Sequence, residues 1–326
     1  MGEILNNRRT QATARLEEFK SNLNIASSMA NKACVYVTGS FGRAEASQHS
    51  DLDLFIVGRG EKDSRELSRL EEISLEAELI RTARELKFPE FSGDGEYLVH
   101  HTNYDLVYYL GTREDDSRNI LTARLLLLLE SKPVVGREVY NETIRQVVDR
   151  YFRNHTGHEK EFTPTFLVND ILRLWRTFCV NYESKIRVPE SEDDKAKRRL
   201  KNYKLRHSRL LTCFSTLIYL LDTYVIRQTI SPSEVVTMTG ITPTERLESV
   251  LDHLKDDARS LVSDILEHYE MFLTITDAPN SELIAKFKND AFRNEQLRST
   301  KKLGDLTFDA MLKIGANNSL LRVMAV

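Results

Sequence analysis

Two aspartates separated by one residue, Asp51 and Asp53, lie at the start of an apolar segment that is typical of a β-strand. Side chains alternate across a strand, so both carboxylates are predicted to share one face with Phe55 and Val57. Two negative charges side by side raise the electrostatic energy unless a cation or a basic side chain compensates them. Hard divalent ions take carboxylate oxygens as ligands. The spacing therefore indicates a cation site, although such a pair also occurs at turns and solvated strand ends.

A second feature precedes this pair. The β-branched segment of residues 35–38 is predicted to be a strand, and it ends in Gly39 and Ser40. Glycine lets the backbone approach a ligand closely, and such a turn offers backbone N–H groups and a hydroxyl to phosphate oxygens. A phosphate-binding turn next to a carboxylate pair favours chemistry on a phosphorylated substrate.

Together these residues resemble the signature of the DNA polymerase β-type nucleotidyltransferase superfamily, a Gly-Ser turn followed by Asp-x-Asp. The longer pattern G-S-x-G-R-x-E-x-x-x-x-S-D-x-D-L, found here at residues 39–54, is similar to that of bacterial uridylyltransferase-like and small stand-alone members. The resemblance implies that Gly39 and Ser40 hold the triphosphate of an NTP. It also implies that Asp51 and Asp53 bind two Mg²⁺ or Mn²⁺ ions that carry nucleotidyl transfer.

Members of this superfamily usually have a third carboxylate on a later strand, and three residues compete for that role. They are Asp94, Glu96 and Asp105. We choose Asp94 as the third catalytic and metal-binding residue, because it lies between two glycines in a polar segment at a suitable distance. Asp105 lies in the segment of residues 104–110, whose Tyr and Val content suits either a strand or a core helix.

Three basic residues are candidate nucleotide-binding groups. Arg43 either contacts phosphate or pairs with Glu45 on the surface. Further along, residues 195–209 form a strongly basic stretch in which Lys201 and Lys204 fall on one predicted helical face. Such a stretch is often a solvated surface, but these lysines are also placed to bind a triphosphate or a polynucleotide acceptor.

The apolar spacing predicts one helix at residues 9–29, before the two strands, and another at residues 63–86, after them. This order of elements suits a mixed sheet. From residue 116 onward the pattern is helical, and residues 122–130 are predicted to form a central buried helix. With the resemblance, this predicts an α/β (α+β) nucleotidyltransferase domain with a mixed sheet, residues 1–115, followed by an all-helical domain, residues 116–326.

Composition limits the partners and the compartment. The chain has 326 residues, with 46 Lys and Arg against 49 Asp and Glu, so its net charge of −3 gives no reason to expect a nucleic-acid coat. Three widely spaced cysteines suit reduced thiols in the core. No signal sequence or membrane span is expected, and we expect a cytoplasmic location without a membrane partner.

The predicted function is metal-dependent transfer of a nucleoside monophosphate from an NTP to an acceptor hydroxyl, with release of pyrophosphate. The acceptor is left open among a protein side chain, a second nucleotide, an RNA end and a small molecule. The alternative is a catalytically silent nucleotide-binding protein that acts as a regulatory or antitoxin-like partner.

Overall fold

The computed structural model describes residues 2–91, 98–184, 191–316 and 318–325. The chain divides into two compact units. The sheet unit consists of Leu5–Asn154 and Pro232–Thr242, and the helical unit consists of Met1–Ile4, His155–Ser231 and Pro243–Val326. The predicted division into domains at residues 1–115 and 116–326 stays a prediction.

A four-stranded mixed sheet forms the centre of the sheet unit. The strands are β1 (Ala33–Thr38), β2 (Asp53–Gly58), β3 (Gly60–Glu61), β4 (Ser64–Arg65), β5 (His100–Thr102) and β6 (Lys132–Val135). The sheet has the order β5-β2-β1-β6, in which β1 is antiparallel to both neighbours and β5 is parallel to β2. β3 and β4 form a separate antiparallel pair. The mixed sheet and the helices that follow it confirm the predicted fold class.

Helices surround the sheet in chain order. They are α1 (Glu3–Ser21), α2 (Ser27–Ala30), α3 (Gly39–Gly42), α4 (Arg69–Glu85), α5 (Asn103–Tyr108), α6 (Arg113–Ser117), α7 (Ile120–Leu129) and α8 (Arg137–Tyr151). The segment of residues 104–110, which suited either a strand or a helix, thus begins in a helix. The predicted helix 9–29 is divided between α1 and α2. The predicted helix 63–86 starts only at Arg69, because β3 and β4 form a short hairpin before it.

The two faces of the sheet are both buried. On one face, Leu52, Leu54 and Ile56 belong to a buried cluster with Leu16 of α1 and Leu79 of α4. Burying each of these side chains stabilises the fold by about 2 kcal/mol. This face is the framework that holds β2, and therefore Asp53, in place.

The opposite face packs against α7 and α8. The ring of Tyr36 stacks on Phe55 with 5.5 Å between centroids, and lies 6.2 Å from the ring of Tyr140 in α8. The Tyr36 hydroxyl donates a hydrogen bond of 3.0 Å to the carbonyl of Ala123 in α7. Every residue of α7 is buried, as the apolar run of residues 122–130 predicts.

The remaining elements are helices, and all but α12 belong to the helical unit. They are α9 (Thr165–Ser184), α10 (Glu192–Lys204), α11 (Leu210–Arg227), α12 (Pro232–Thr239), α13 (Pro243–Leu251), α14 (Asp256–Ile275), α15 (Asn280–Lys288), α16 (Asp290–Ile314) and α17 (Ser319–Ala325). A π-helical turn, Leu205–Arg209, joins α10 to α11.

Among the described residues, one helix is long and apolar enough to span a membrane by length and composition. It is the continuous helix Glu192–Arg227, and 67% of its most apolar window is buried. A buried core helix meets the same criteria, so this helix gives no indication of a membrane.

Candidate active site

The turn that follows β1 begins with a left-handed glycine. Gly39 has a φ of +65°, a conformation that residues with a Cβ rarely adopt. The Arg43 N–H donates to the Gly39 carbonyl at 3.0 Å, and the Glu45 N–H donates to the Ser40 carbonyl at 2.8 Å. These bonds close the turn, whose entry conformation requires glycine.

Ser40 supplies two hydrogen-bond donors at this turn. It is half-buried, and within the described part of the chain neither its N–H nor its hydroxyl has a hydrogen-bond partner. Backbone N–H groups and hydroxyls in a turn of this kind bind anionic oxygens. Ser40 therefore lies where the sequence predicts a phosphate-binding residue and has both donors free for a ligand.

The carboxylate of Asp53 lies against Gly39. The register of β1 and β2 places Thr38 opposite Asp53, which brings the start of β2 to the turn. A Cβ added to Gly39 would lie only 2.4 Å from Asp53 Oδ2. The missing side chain at Gly39 therefore leaves the space that the carboxylate occupies.

Asp51 precedes β2 instead of lying within it, since the strand begins at Asp53. A turn positions Asp51: the Ser47 N–H donates to Ser50 Oγ at 3.0 Å, and the Ser50 N–H donates to the Ser47 carbonyl at 3.1 Å. Both aspartates are half-buried. Strand alternation thus orients Asp53, whereas the orientation of Asp51 depends on this turn.

Arg43 is buried and pairs with two carboxylates. It is 6% exposed, its Nε donates to Glu45 Oε1, and its Nη1 donates to Glu130 Oε2 at 2.7 Å. Of the two interpretations of Arg43, pairing with Glu45 is present, but inside the unit and not on its surface. A role of Arg43 in nucleotide binding stays a prediction.

Glu130 is a residue of this site that the sequence analysis missed. Its Oε1 also accepts a hydrogen bond of 3.1 Å from the Gly39 N–H. The only available signal was a charged residue at the end of an otherwise apolar helix. Its partners lie 87 and 91 residues earlier in the chain, a separation that no local pattern encodes.

The donor set has the chemistry that a divalent cation requires. Asp51 and Asp53 supply half-buried carboxylates beside the turn that carries the Ser40 donors, and carboxylate oxygens are ligands of hard cations. Arg43 is already paired with two carboxylates of its own. Within the described residues, no group of three or more His, Cys, Asp or Glu is arranged to hold an ion.

Of the three candidates for the third carboxylate, the structure describes only Asp105. Asp94 and Glu96 lie outside the described residues, so the choice of Asp94 stays a prediction. Asp105 caps α5: the Thr102 N–H donates to its Oδ2 at 2.9 Å, and Arg118 pairs with it at 3.2 Å. Thr102 pairs with Gly58, five residues beyond Asp53 along β2, which corresponds to about 16 Å. Asp105 is therefore at the other end of the strand.

The predicted triphosphate-binding lysines belong to the helical unit. Lys201 is exposed on α10, and Lys204 is half-buried and donates a hydrogen bond of 3.1 Å to Asn280 Oδ1. Gly39, Ser40 and the aspartates belong to the sheet unit. The role of Lys201 and Lys204 in nucleotide binding stays a prediction.

The comparison with protein families agrees with this geometry. Residues 18–92 match the family model of the nucleotidyltransferase domain. The match spans the Gly39 turn and both aspartates, and it ends before β5 and before Glu130. No curated protein matches the chain. Residues 18–92 therefore form a nucleotidyltransferase domain of the DNA polymerase β-like superfamily.

Proposed function

We propose that this protein transfers a nucleoside monophosphate from an NTP to an acceptor hydroxyl in a reaction that depends on Mg²⁺ or Mn²⁺. A single observation carries the proposal: the Asp53 carboxylate lies against Gly39, beside a serine whose N–H and hydroxyl have no partner among the residues that the structure describes. Carboxylates bind cations and the serine donors bind phosphate oxygens. A metal–triphosphate complex is the ligand that satisfies both groups.

Asp51 and Asp53 would hold the metal, and Asp94 is our candidate for a further ligand. When bound, two such ions would neutralise the charge of the triphosphate and of the departing pyrophosphate. In the transfer, a bond forms between the acceptor oxygen and the α-phosphorus. The bond from that phosphorus to the bridging oxygen breaks, and the hydroxyl proton leaves to a base or to water.

The residues of the turn bind and orient the substrate. Ser40 donates its N–H and hydroxyl to phosphate oxygens. Gly39 leaves room beside the turn for the Asp53 carboxylate, so a metal bound by Asp53 would lie next to the triphosphate. Lys201 and Lys204 are proposed to supply positive charge to the triphosphate, as cationic groups of a helical domain often do in this superfamily.

The acceptor class is part of the proposal. A net charge of −3 favours a protein side chain, a second nucleotide, a short RNA end or a small molecule over a long RNA duplex. We also propose that the protein works in the cytoplasm.

The first test is label transfer. Purified protein is incubated with each of the four NTPs, labelled at the α-phosphate, and with Mg²⁺ or Mn²⁺, with and without cell extract. We expect label in one acceptor class and release of pyrophosphate. Binding of an NTP without transfer to any acceptor would favour the alternative, a catalytically silent nucleotide-binding partner protein.

The residue-level test is Asp53→Asn. Loss of a carboxylate that holds a metal removes several kcal/mol of charge stabilisation, so turnover should fall by roughly a thousandfold while the fold is retained. Asp63→Asn is the matched control, because Asp63 is an exposed aspartate of the same unit in the β3–β4 hairpin. Unchanged turnover in Asp53→Asn would contradict the assignment.

A further inference from the structure

We propose that Glu130 is a positioning residue of the nucleotide site, which holds the Gly39 turn so that the donors of Ser40 face the triphosphate. This inference rests on the proposed function, since it concerns the same site. Glu130 lies at the end of α7, outside the residues that match the family model.

Both carboxylate oxygens of Glu130 accept hydrogen bonds inside the protein. Its side chain is 0% exposed, Oε1 accepts from the Gly39 N–H at 3.1 Å, and Oε2 accepts from Arg43 Nη1 at 2.7 Å. Burial of charged groups costs desolvation energy, and well-packed apolar residues often replace a buried ion pair without loss of stability. Stability alone is therefore a weak explanation for the burial of the Glu130 carboxylate. Its contacts with the turn explain the burial better, because they fix the conformation of the turn.

Glu130 contacts both ends of the turn. It accepts the N–H of Gly39, where the turn begins, and it pairs with Arg43, where the short helix α3 ends. Backbone packing adds a third contact, because a Cβ on Gly42 would lie 2.0 Å from the Glu130 carbonyl oxygen. The segment between Gly39 and Arg43 is thus fixed against the end of α7.

The N–H groups of Gly39 and Ser40, although adjacent in the chain, have different roles. The Gly39 N–H points to Glu130 and is not available to phosphate, while the N–H and hydroxyl of Ser40 have no partner within the described residues. Gly39 has a left-handed φ of +65°, so rotation about its dihedral angles would redirect the Ser40 N–H. Holding the Gly39 N–H at one end of the turn and Arg43 at the other therefore restricts the directions in which the Ser40 N–H can point.

The ion pairs of Arg43 also fix the turn. Its guanidinium is held between Glu45 and Glu130, so its fork geometry fixes the end of α3. Arg43 then acts on the nucleotide through the backbone of the turn and not by contact with phosphate.

The test is Glu130→Gln in the full chain, with the binding of each NTP as its Mg²⁺ complex measured by calorimetry. Glutamine keeps the size of the side chain, but its single oxygen cannot accept from both the Gly39 N–H and the Arg43 guanidinium, as the two carboxylate oxygens do. We expect affinity for the bound NTP to fall by about tenfold and KM to rise more than kcat falls. Hydrogen exchange at the Gly39 N–H should become faster.

Glu142→Gln is the matched control. Glu142 also pairs with an arginine, Arg59, at 2.7 Å in the sheet unit, but Arg59 follows the end of β2 that lies farther from Asp53. This variant should leave NTP affinity unchanged. If Glu130→Gln fails to fold, Arg43→Lys replaces it, since lysine keeps the charge but loses the fork geometry; the same loss of affinity is expected.

The outcomes separate this inference from the proposed function. If the unaltered protein binds no Mg²⁺–NTP, the proposed function fails, and slow exchange of the Gly39 N–H that is lost in Glu130→Gln still supports the contact with the turn. If the unaltered protein binds an NTP and Glu130→Gln binds it equally well, the positioning role is overturned while the proposed function stands.

Discussion

Two features of the structure require glycine at position 39, and mutation can measure each of them. Its φ of +65° disfavours any Cβ, and the space where a Cβ would lie is occupied by Asp53 Oδ2. Gly39→Ala should therefore lower the free energy of unfolding by more than the roughly 1–2 kcal/mol that a left-handed conformation alone costs. It should also displace the Asp53 carboxylate and reduce NTP binding. Urea unfolding and calorimetry with Mg²⁺–NTP measure the two effects.

Gly111 provides the control for this prediction. It also has a positive φ, +77°, but no atom of the described residues lies within 4 Å of an added Cβ. Gly111→Ala should show the conformational cost and leave NTP binding unchanged. Equal effects of the two alanine substitutions on binding would contradict the contact between Gly39 and Asp53.

The cysteines give a second prediction at the residue scale. Burial raises the pKa of the Cys34 and Cys213 thiols to about 12, and it also raises the pKa of the half-buried Cys179. A thiol reacts as its thiolate, so the native protein should react very slowly with a disulfide reagent near neutral pH. In urea all three thiols should react. Rapid reaction of Cys34 or Cys213 in the native protein would show that these sites open.

At the scale of elements, the position of Asp105 at the start of a helix indicates a structural role for its carboxylate and not a catalytic one. Asp105 forms a capping box with Thr102 at the start of α5. Asp105→Asn should lower the free energy of unfolding by about 1 kcal/mol and leave nucleotidyl transfer unchanged, because Asp105 is remote from Asp53. Thermal unfolding and the label-transfer assay test this.

Ser68, which forms a capping box with Glu71 at the start of α4, is the reference for that measurement. Ser68→Ala should cause a comparable loss of stability and no loss of turnover. A large loss of turnover in Asp105→Asn alone would identify Asp105 as the third carboxylate after all.

The elements nearest the site are those that sequence patterns predict best. The two strands, the turn at Gly39 and the buried helix α7 follow from local spacing, because each is encoded within a few consecutive residues. The position of Asp51 was less predictable, since the hydrogen bonds between Ser47 and Ser50 end the regular strand pattern before Asp53. The pairing of β6 with β1 depends on contacts across the chain, so no local pattern reveals it.

The role of Glu130 illustrates the limit of local reasoning. At the end of an apolar run, a charged residue usually marks where a helix reaches solvent. Here the carboxylate instead turns inward, because Arg43 and the Gly39 N–H compensate its burial. Those partners become visible only when the sheet brings β1 next to the end of α7.

At the scale of the whole molecule, buried histidines make stability depend on pH. Burial lowers the pKa of His101 in the sheet unit and of His207 in the helical unit to about 4. In the unfolded chain a histidine has a pKa of about 6.5. Between these values the unfolded chain binds more protons than the folded one, so stability falls as the pH falls from about 6.5 to about 4.

Each of these histidines should contribute about 2 kcal/mol to the stability lost between about pH 7 and about pH 5. His207→Phe tests this, since a phenyl ring can replace the imidazole that stacks on Phe272 at 4.7 Å. The variant should lose less stability over that pH interval than the unaltered protein, as measured by urea unfolding at both pH values. An identical pH dependence would mean that folding does not lower the pKa of His207.

The π-helical turn Leu205–Arg209 has a consequence for the basic stretch of residues 195–209. A π-turn takes more residues per revolution than an α-helix, so it changes the angular phase of the side chains that follow it. Lys201 and Lys204 lie before the phase change, whereas Arg209 lies at its end. Residues five apart lie about 140° from each other around an α-helix, whereas the i→i+5 spacing of a π-turn brings them towards one face. The positive charges of Lys204 and Arg209 therefore lie nearer to each other around the helix Glu192–Arg227 than α-helical spacing of the sequence indicates.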